Sequence, residues 1–290
     1  MAICAIVVSY NPSPSLLENV AALASQVDEV VVVDNGSSSE SRDILAQLDG
    51  IPGCRLICNA DNLGIAAALN AGVRYALTIG YDWIATFDQD STVTDGYIHS
   101  LIDAWEECPF RDQVALVSPR YRDRKTGLIS SYDRKKSQGK SAEVQTTMTS
   151  GNIVRADAFE RAGFFDESFF MDCVDHEFCL RLRRNGYRIV ESRDSILLHS
   201  LGDMTLHRLL GRQFKVYNHL PFRRYYNVRN RIVIYRRYLF RFPAWIFHDL
   251  FNLCREIAGI VLFEKDSALK LSAVCRGAFD GIAGKTGRTW

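Results

Sequence analysis

Apolar residues along the first ~100 positions come in short unbroken runs, each closed by a polar cluster. Ile3 to Ser9 is rich in Val and Ile and ends at Asn11-Pro12, the pattern of a fully buried strand entering a turn. Leu16, Leu17, Val20 and Leu23 then recur at helical spacing between Ser15 and Ala24. The spacing predicts further strands over 30–33, 54–58 and 83–87, and helices over 41–48 and 65–79. The runs end at Asp34-Asn35-Gly36-Ser37, Asn59 to Gly64, and Asp88-Gln89-Asp90. Strand and helix alternate, so the fold class is α/β, with a mostly parallel, doubly wound sheet. Ligands in such sheets bind outside the carboxyl ends of the strands, where these polar clusters fall.

Downstream, the pattern predicts a helix over 96–107 and a strand over 115–118. Arg120 to Glu143 is polar and basic, and reads as a long loop or hairpin. The chain returns to the core at 149–154, with helices over 156–162 and 174–185 and strand-like pieces at Ile189-Val190 and Ile196 to Leu198. After Gly202 long helices with many Arg and aromatic residues are expected. A boundary near 205 divides 1–205 from a helical, basic-aromatic 206–290.

Composition narrows the classes. Hydrophobic residues make up 47% of the 290 and charged residues 24%, enough to bury a core. A net charge of +1 gives no electrostatic footprint for nucleic acid. The balance hides one asymmetry: Met204 to His248 holds ten Arg or Lys and no acid, so it needs an anionic partner inside or outside the protein. The eight cysteines form no Cys-x-x-Cys pair and are expected as reduced thiols, which suits the cytoplasm. The N-terminus has no basic n-region, so no signal peptide is expected, and no apolar run reaches the ~18 residues of a spanning helix.

Three constellations carry candidate chemistry. Asp88-Gln89-Asp90 follows a buried strand, and carboxylates there can hold a divalent ion that bridges a diphosphate. The competing reading is a helix N-cap at Asp90 or Ser91. Asp172, Asp175, His176 and Glu177 cluster at a helix start. On the residues alone Asp175 is a cap, and it becomes a base only if a substrate hydroxyl reaches it. His199 follows a strand and is more often a surface residue than a ligand. The Asn62-Leu63-Gly64 turn lacks both the dinucleotide and the P-loop glycine patterns, which disfavours NAD binding and ATP hydrolysis.

Taken in order, these residues resemble family 2 glycosyltransferases of the GT-A fold, in particular bacterial rhamnosyltransferases. The resemblance runs through Ile6-Val7-Val8-Ser9-Tyr10-Asn11, Val33-Asp34-Asn35, Asn62-Leu63-Gly64-Ile65-Ala66 and Phe87-Asp88-Gln89-Asp90-Ser91. It continues in Ser150-Gly151-Asn152, Gly163-Phe164-Phe165-Asp166-Glu167, Asp172 to Glu177 and Arg224-Tyr225-Tyr226-Asn227-Val228-Arg229-Asn230. The resemblance implies that Ser9, Tyr10, Asn11 and Asp34 hold the donor nucleotide, beside Asn62, Gly64 and Asn70. It implies a nucleoside contact at Asp88, donor contacts at Gln89, Gly151 and Asn152, and a metal, Mg2+ or Mn2+, on Asp90 with His199. Asp175 corresponds to the catalytic base, and Arg224, Tyr226 and Arg229 to contacts over the leaving diphosphate. One departure stands out: where many relatives carry Glu-Asp, this chain has Val174-Asp175.

The implied reaction is inverting transfer of L-rhamnose from dTDP-L-rhamnose to a saccharide or lipid-linked saccharide, in lipopolysaccharide or related glycolipid synthesis. Other nucleotide sugars, a nucleotidyltransferase and a catalytically dead sugar-nucleotide-binding protein are the competing readings. Asn11-Pro12-Ser13-Pro14 is not the Gly-rich basic loop of a nucleotidyltransferase. The apolar run Phe240 to Phe263 is broken by Asp249, Arg255 and Glu256 and follows Arg236, Arg237 and Arg241. It is expected to sit peripherally on the cytoplasmic face of the inner membrane, the competing reading being packing on the catalytic domain or in a homodimer.

Overall fold

Every residue of β1 (Ile3–Ser9) is buried, because the strand is paired on both edges and its two faces are both covered. Ile3, Ala5 and Val7 join one core with residues of α1 (Ser15–Ala24) and α4 (Tyr97–Glu106). On the other face Ile6 meets α3 (Ile65–Ile79) so closely that a Cβ on Gly72 would lie 2.6 Å from its side chain. The structure, a computed structural model, describes residues 1–132, 139–199, 205–209 and 212–290, with the backbone alone at 206, 208, 209 and 212–215.

Two compact units result, Met1–Glu167 with Val174–Ser200, and Ser168–Cys173 with Leu201–Trp290. In the first, β2 (Glu29–Asp34), β3 (Cys54–Cys58) and β4 (Trp83–Asp88) run parallel with β1. The strands β5 (Val114–Asp123), β6 (Ile129–Ser130), β7 (Ser141–Val144), β8 (Asn152–Arg155) and β9 (Arg188–His199) complete the sheet. Its order is β3-β2-β1-β4-β8-β5-β9-β7, with β6 on β5. Strand β8 is antiparallel to both β4 and β5, and β5 is parallel to β9. The remaining helices are α2 (Arg42–Ala46), α5 (Ala156–Ala162) and α6 (Val174–Arg184). This is the GT-A-like α/β arrangement expected, with a separate helical extension.

Several local expectations change. The helix expected over 41–48 is one short turn of α-helix flanked by 3-10 turns, Ser39–Ser41 and Gln47–Gly50. The two strand-like pieces after Ile189 are a single strand, and a register shift against β5 absorbs the polar residues between them. The segment from Arg120 to Glu143, expected as a long loop or hairpin, holds the antiparallel pair of the end of β5 with β6, and part of β7. Residues 133–138 lie outside the described residues, as do 200–204 at the expected boundary.

The second unit opens with a hairpin that was expected to be helical, β10 (Thr205–Leu209) with β11 (Arg212–Val216). Three helices follow, α7 (Pro221–Tyr238), α8 (Pro243–Phe263) and α9 (Ser267–Ile282). Among the described residues no helix is long and apolar enough to cross a membrane. For Arg224 and Arg231 of the basic segment the anionic partner is internal. Arg224 pairs with Glu264 and Glu256, and Arg231 with Glu256 at 2.9 Å and Asp249 at 3.3 Å. Buried guanidinium groups need such partners, since an unpaired buried charge costs several kcal/mol.

Helices α7 and α9 approach backbone to backbone: a Cβ on Gly277 would lie 2.4 Å from the Tyr225 carbonyl oxygen. Backbone cannot yield as a side chain does, so Gly277→Ala is expected to cost roughly 2 kcal/mol or more. Urea unfolding of the variant, followed by circular dichroism, should show a clearly lowered midpoint; an unchanged midpoint would refute this close packing.

Candidate functional site

Strand register brings the first site residues together. Ser9 lies opposite Asp34 across β1 and β2, and Val8 opposite Asp88 across β1 and β4. The turns beyond are tied by polar side chains. Ser37 donates its hydroxyl to the Asp34 carboxylate and its N–H to the same group at 3.1 Å. Asn11, at φ 47°, donates its N–H to Ser37 Oγ and accepts from the Ser38 N–H, both at 2.8 Å. Tyr10 is exposed, whereas Ser9 is buried with an unpartnered Oγ.

The knot of this edge is Asn35, which sequence reasoning did not single out as a site residue. Its amide donates to Asn62 Oδ1 and the Gly64 carbonyl and accepts from Asn59 Nδ2 and the Leu63 N–H, at 3.1–3.2 Å. Asn62 Oδ1 also accepts the Gly64 N–H at 3.0 Å. Gly36 permits the closeness of the two loops: at φ +77° its missing Cβ would lie 2.4 Å from the Asp61 carbonyl carbon.

The second cluster is assembled from two strands distant in sequence. An isolated antiparallel bridge joins Thr92, after β4, to Leu198, near the end of β9, through hydrogen bonds of 3.1 and 3.2 Å. It sets His199 beside the acidic loop. His199 Nε2 is 3.9 Å from Asp88 Oδ2, and Nδ1 is 3.7 Å from Asp90 Oδ1. These separations exceed a hydrogen bond, but two ligands of one octahedral ion are held about 3–4 Å apart at metal–oxygen distances near 2.1 Å. Ligand atoms of all three residues lie within 4.8 Å of one another. Two carboxylates and an imidazole suit a divalent cation, so the residues fit the expected metal. Ser91 Oγ sits 3.2 Å from His199 Nδ1 and 2.7 Å from Ser150 Oγ, which ties the imidazole to the loop after β4.

Gln89, between the two acids, is committed elsewhere. Its amide exchanges hydrogen bonds of 2.8 and 3.2 Å with the Tyr10 backbone, and its carbonyl accepts from Asn19. It clamps the loop after β1 to the loop after β4.

Asp175 stands one residue past the start of α6 rather than at the N-cap position. It lies inside the first turn of α6 and accepts the His176 N–H at 2.8 Å. Its carboxylate is about a quarter exposed. It also lines a small cavity, about 10 Å³, with Thr86, Thr147, Asn152, Phe178 and Cys179. Burial pushes the Cys179 thiol up to about 12, so no thiolate nucleophile forms there near neutral pH. Asn152 is buried, donates to the Met148 carbonyl at 2.6 Å and leaves its Oδ1 without a partner.

Several of the expected donor-contact residues are buried and hydrogen-bonded within the protein. Asn70 saturates its amide on Phe165 and Glu167, holding the segment that follows α5. Gly151 sits at φ +86° where a Cβ would meet the Tyr97 hydroxyl at 2.5 Å. In the second unit, Arg229 is wholly buried and donates to the Gly287 carbonyl at 2.6 Å and to Thr289 at 3.1 Å. The buried Tyr226 hydroxyl accepts from the Thr289 and Trp290 N–H groups. Arg224 is spent on its ion pairs. Arg224, Tyr226 and Arg229, expected over a diphosphate, are thus buried among these neighbours in the second unit.

Comparison with known proteins agrees with this geometry. Residues 4–167 match the family described as Glycosyl transferase family 2. The chain is 31% identical to the dTDP-rhamnosyl transferase RfbF of Shigella flexneri, over 98% of this chain and 97% of that one. It is 27% identical to the galactofuranosyltransferase GlfT1 of Mycolicibacterium smegmatis, over 79% and 81% of the two chains. Among solved structures, that of GalNAc-T7 with UDP, GalNAc and Mn2+ shares the fold at a TM-score of 0.62 and 13% identity, over 98% of this chain and 56% of that one. The parallel sheet, the residues at its carboxyl edge and these likenesses lead to one conclusion: the chain belongs to glycosyl transferase family 2, and it is a glycosyltransferase.

Proposed function

We propose that the protein transfers L-rhamnose from dTDP-L-rhamnose to a hydroxyl of a saccharide acceptor with inversion at the anomeric carbon. The observation that carries this reading is the 31% identity, over nearly the full length of both chains, to the dTDP-rhamnosyl transferase RfbF. Donor binding and chemistry belong to residues 1–205, with 206–290 a helical accessory region, and the acceptor is a lipopolysaccharide or related glycolipid intermediate at the cytoplasmic side of the envelope.

In this reading Ser9, Tyr10, Asn11 and Asp34, supported by Asn62 and Gly64, form the nucleotide seat, with the exposed Tyr10 ring against the base. Asp90, His199 and Asp88 hold Mg2+ or Mn2+, which when bound stabilises negative charge on the leaving diphosphate. Asp175 accepts the proton of the acceptor hydroxyl as its oxygen forms the new bond to the anomeric carbon. The bond from that carbon to the diphosphate breaks, and dTDP departs. Val174 is buried beside Asp175, so a single carboxylate carries the proton at this position.

A donor panel tests the sugar. Thermal stabilisation and turnover with dTDP-L-rhamnose, absent with UDP-galactofuranose, are expected; the reverse order would move the protein to another donor. Asp90→Ala should abolish metal-dependent turnover while leaving the unfolding temperature within a few degrees. Calorimetric titration of Mn2+ should lose its binding isotherm in the same variant. Full turnover in excess chelator would refute the metal assignment.

Asp175→Asn should lower transfer by about 10²–10⁴-fold with little change in donor affinity. Its circular dichroism should match the parent, because the amide oxygen can still accept the His176 N–H. An active Asp175→Asn enzyme would remove Asp175 from the chemistry.

A further inference from the structure

The outer face of α8 is apolar over its whole length. Phe247, Leu250, Phe251, Cys254, Val261 and Leu262 are all exposed, at the three- and four-residue spacing of one helix face. Phe247 and Phe251 are more than 60% exposed, and Phe240, in the turn before the helix, is 98% exposed. Single exposed apolar residues are ordinary; a contiguous five-turn stripe marks an interaction surface.

Charge selects the partner. The carboxylates of this element turn inward: Asp249 to Arg231 and the Tyr235 hydroxyl, Glu256 to Arg231 and Arg224, and Glu264, just after the helix, to Arg224 and Lys270. The exposed charges left along the helix and at its two ends are the cations Arg241, Arg255 and Lys265, none of which has an ion-pair partner among the described residues, with the acid Asp266 in the following turn. By contrast Arg236 donates to the Gly281 and Ile282 carbonyls, and Arg237 lies over the Phe169 ring. The cations that remain available are therefore those nearest the stripe.

We infer that α8 lies in the headgroup region of an anionic lipid surface, its stripe of Phe, Leu and Val entering the acyl boundary and Arg241, Arg255 and Lys265 meeting lipid phosphates. An apolar face bordered by cations is what an interfacial helix requires. A second copy of the chain fits less well. Isologous pairing of this face brings the Arg255 side chains of two copies near one another, with no exposed carboxylate on the stripe to offset them. The inference does not depend on which sugar nucleotide the enzyme uses.

Sedimentation of the full chain with phosphatidylglycerol/phosphatidylethanolamine vesicles tests it, with phosphatidylcholine vesicles as the uncharged control. Binding to the anionic vesicles should weaken steeply with salt. Arg241→Gln with Arg255→Gln should lower affinity by about 25-fold, roughly five-fold per cation. Phe247→Ser with Phe251→Ser should lower it at least about ten-fold. Circular dichroism checks that each variant folds, and the Arg pair retains the test should the Phe pair misfold. Failure of the folded parent to bind anionic vesicles at low salt overturns the inference, as does salt-insensitive binding to both vesicle types. Sedimentation velocity without lipid decides the competing occupant. A monomer agrees with the lipid surface, whereas a dimer dissociated by Phe251→Ser assigns the stripe to a second copy.

Discussion

A strand that is paired on both edges and covered on both faces takes a polar side chain in its interior only where a hydrogen-bond partner is built in, as for Thr86 on the Thr149 carbonyl, and otherwise keeps polar residues to its ends. That constraint organises the first unit. In β1, β2 and β4 the buried apolar runs give way to polar residues at Ser9, Asp34 and Asp88, and the parallel register sets those ends at one level. The edge is therefore polar because a partnerless polar group is costly in the interior, before any ligand is considered. The loops that leave it do not splay, because Asn35, Ser37 and Gln89 each join one loop to another.

The second unit meets the opposite difficulty, cations in its interior. The basic stretch through α7 has no acid of its own, and the balancing carboxylates come later in the chain, at Asp249, Glu256 and Glu264. Pairs of this kind add little net stability over apolar residues of the same size, but breaking one partner is costly. They select one rotation of α8 against α7, since only one face of α8 carries the acids. That same rotation leaves the apolar stripe outward, so the ion pairs inside and the exposed face outside are two results of one placement.

The strands β1 and β2 were legible because their Val- and Ile-rich runs admit few other readings, and β3 and β4 because short, mainly apolar segments recur between helical ones. The hairpin of β10 and β11 was not. Its alternation, Thr-Leu-His-Arg-Leu and Arg-Gln-Phe-Lys-Val, is short and sits inside a segment whose basic and aromatic content suggests helix. The two halves of β9 read as separate strands because the polar residues between them are looped out by the register shift against β5. At the site, Asp88, Asp90 and His199 could be placed from their positions after strands. Asn35 and Thr92 could not: their work is done by amide and backbone hydrogen bonds between loops, which leave no periodicity and no charge pattern to read.

Residues that look alike in a motif divide into two physical kinds. Tyr10 and Asp90 present side chains to the outside and Asp175 is about a quarter exposed, whereas Asn70, Gly151, Asn152, Arg224, Tyr226 and Arg229 are buried. A motif match therefore reports mostly that the buried set is present. That set alone does not encode the sugar, since this chain is 31% identical to a rhamnosyl transferase and 27% identical to a galactofuranosyltransferase. Discrimination between sugars rests on which hydroxyls find partners, because a buried polar group left unpaired is what rejects the wrong substrate most strongly.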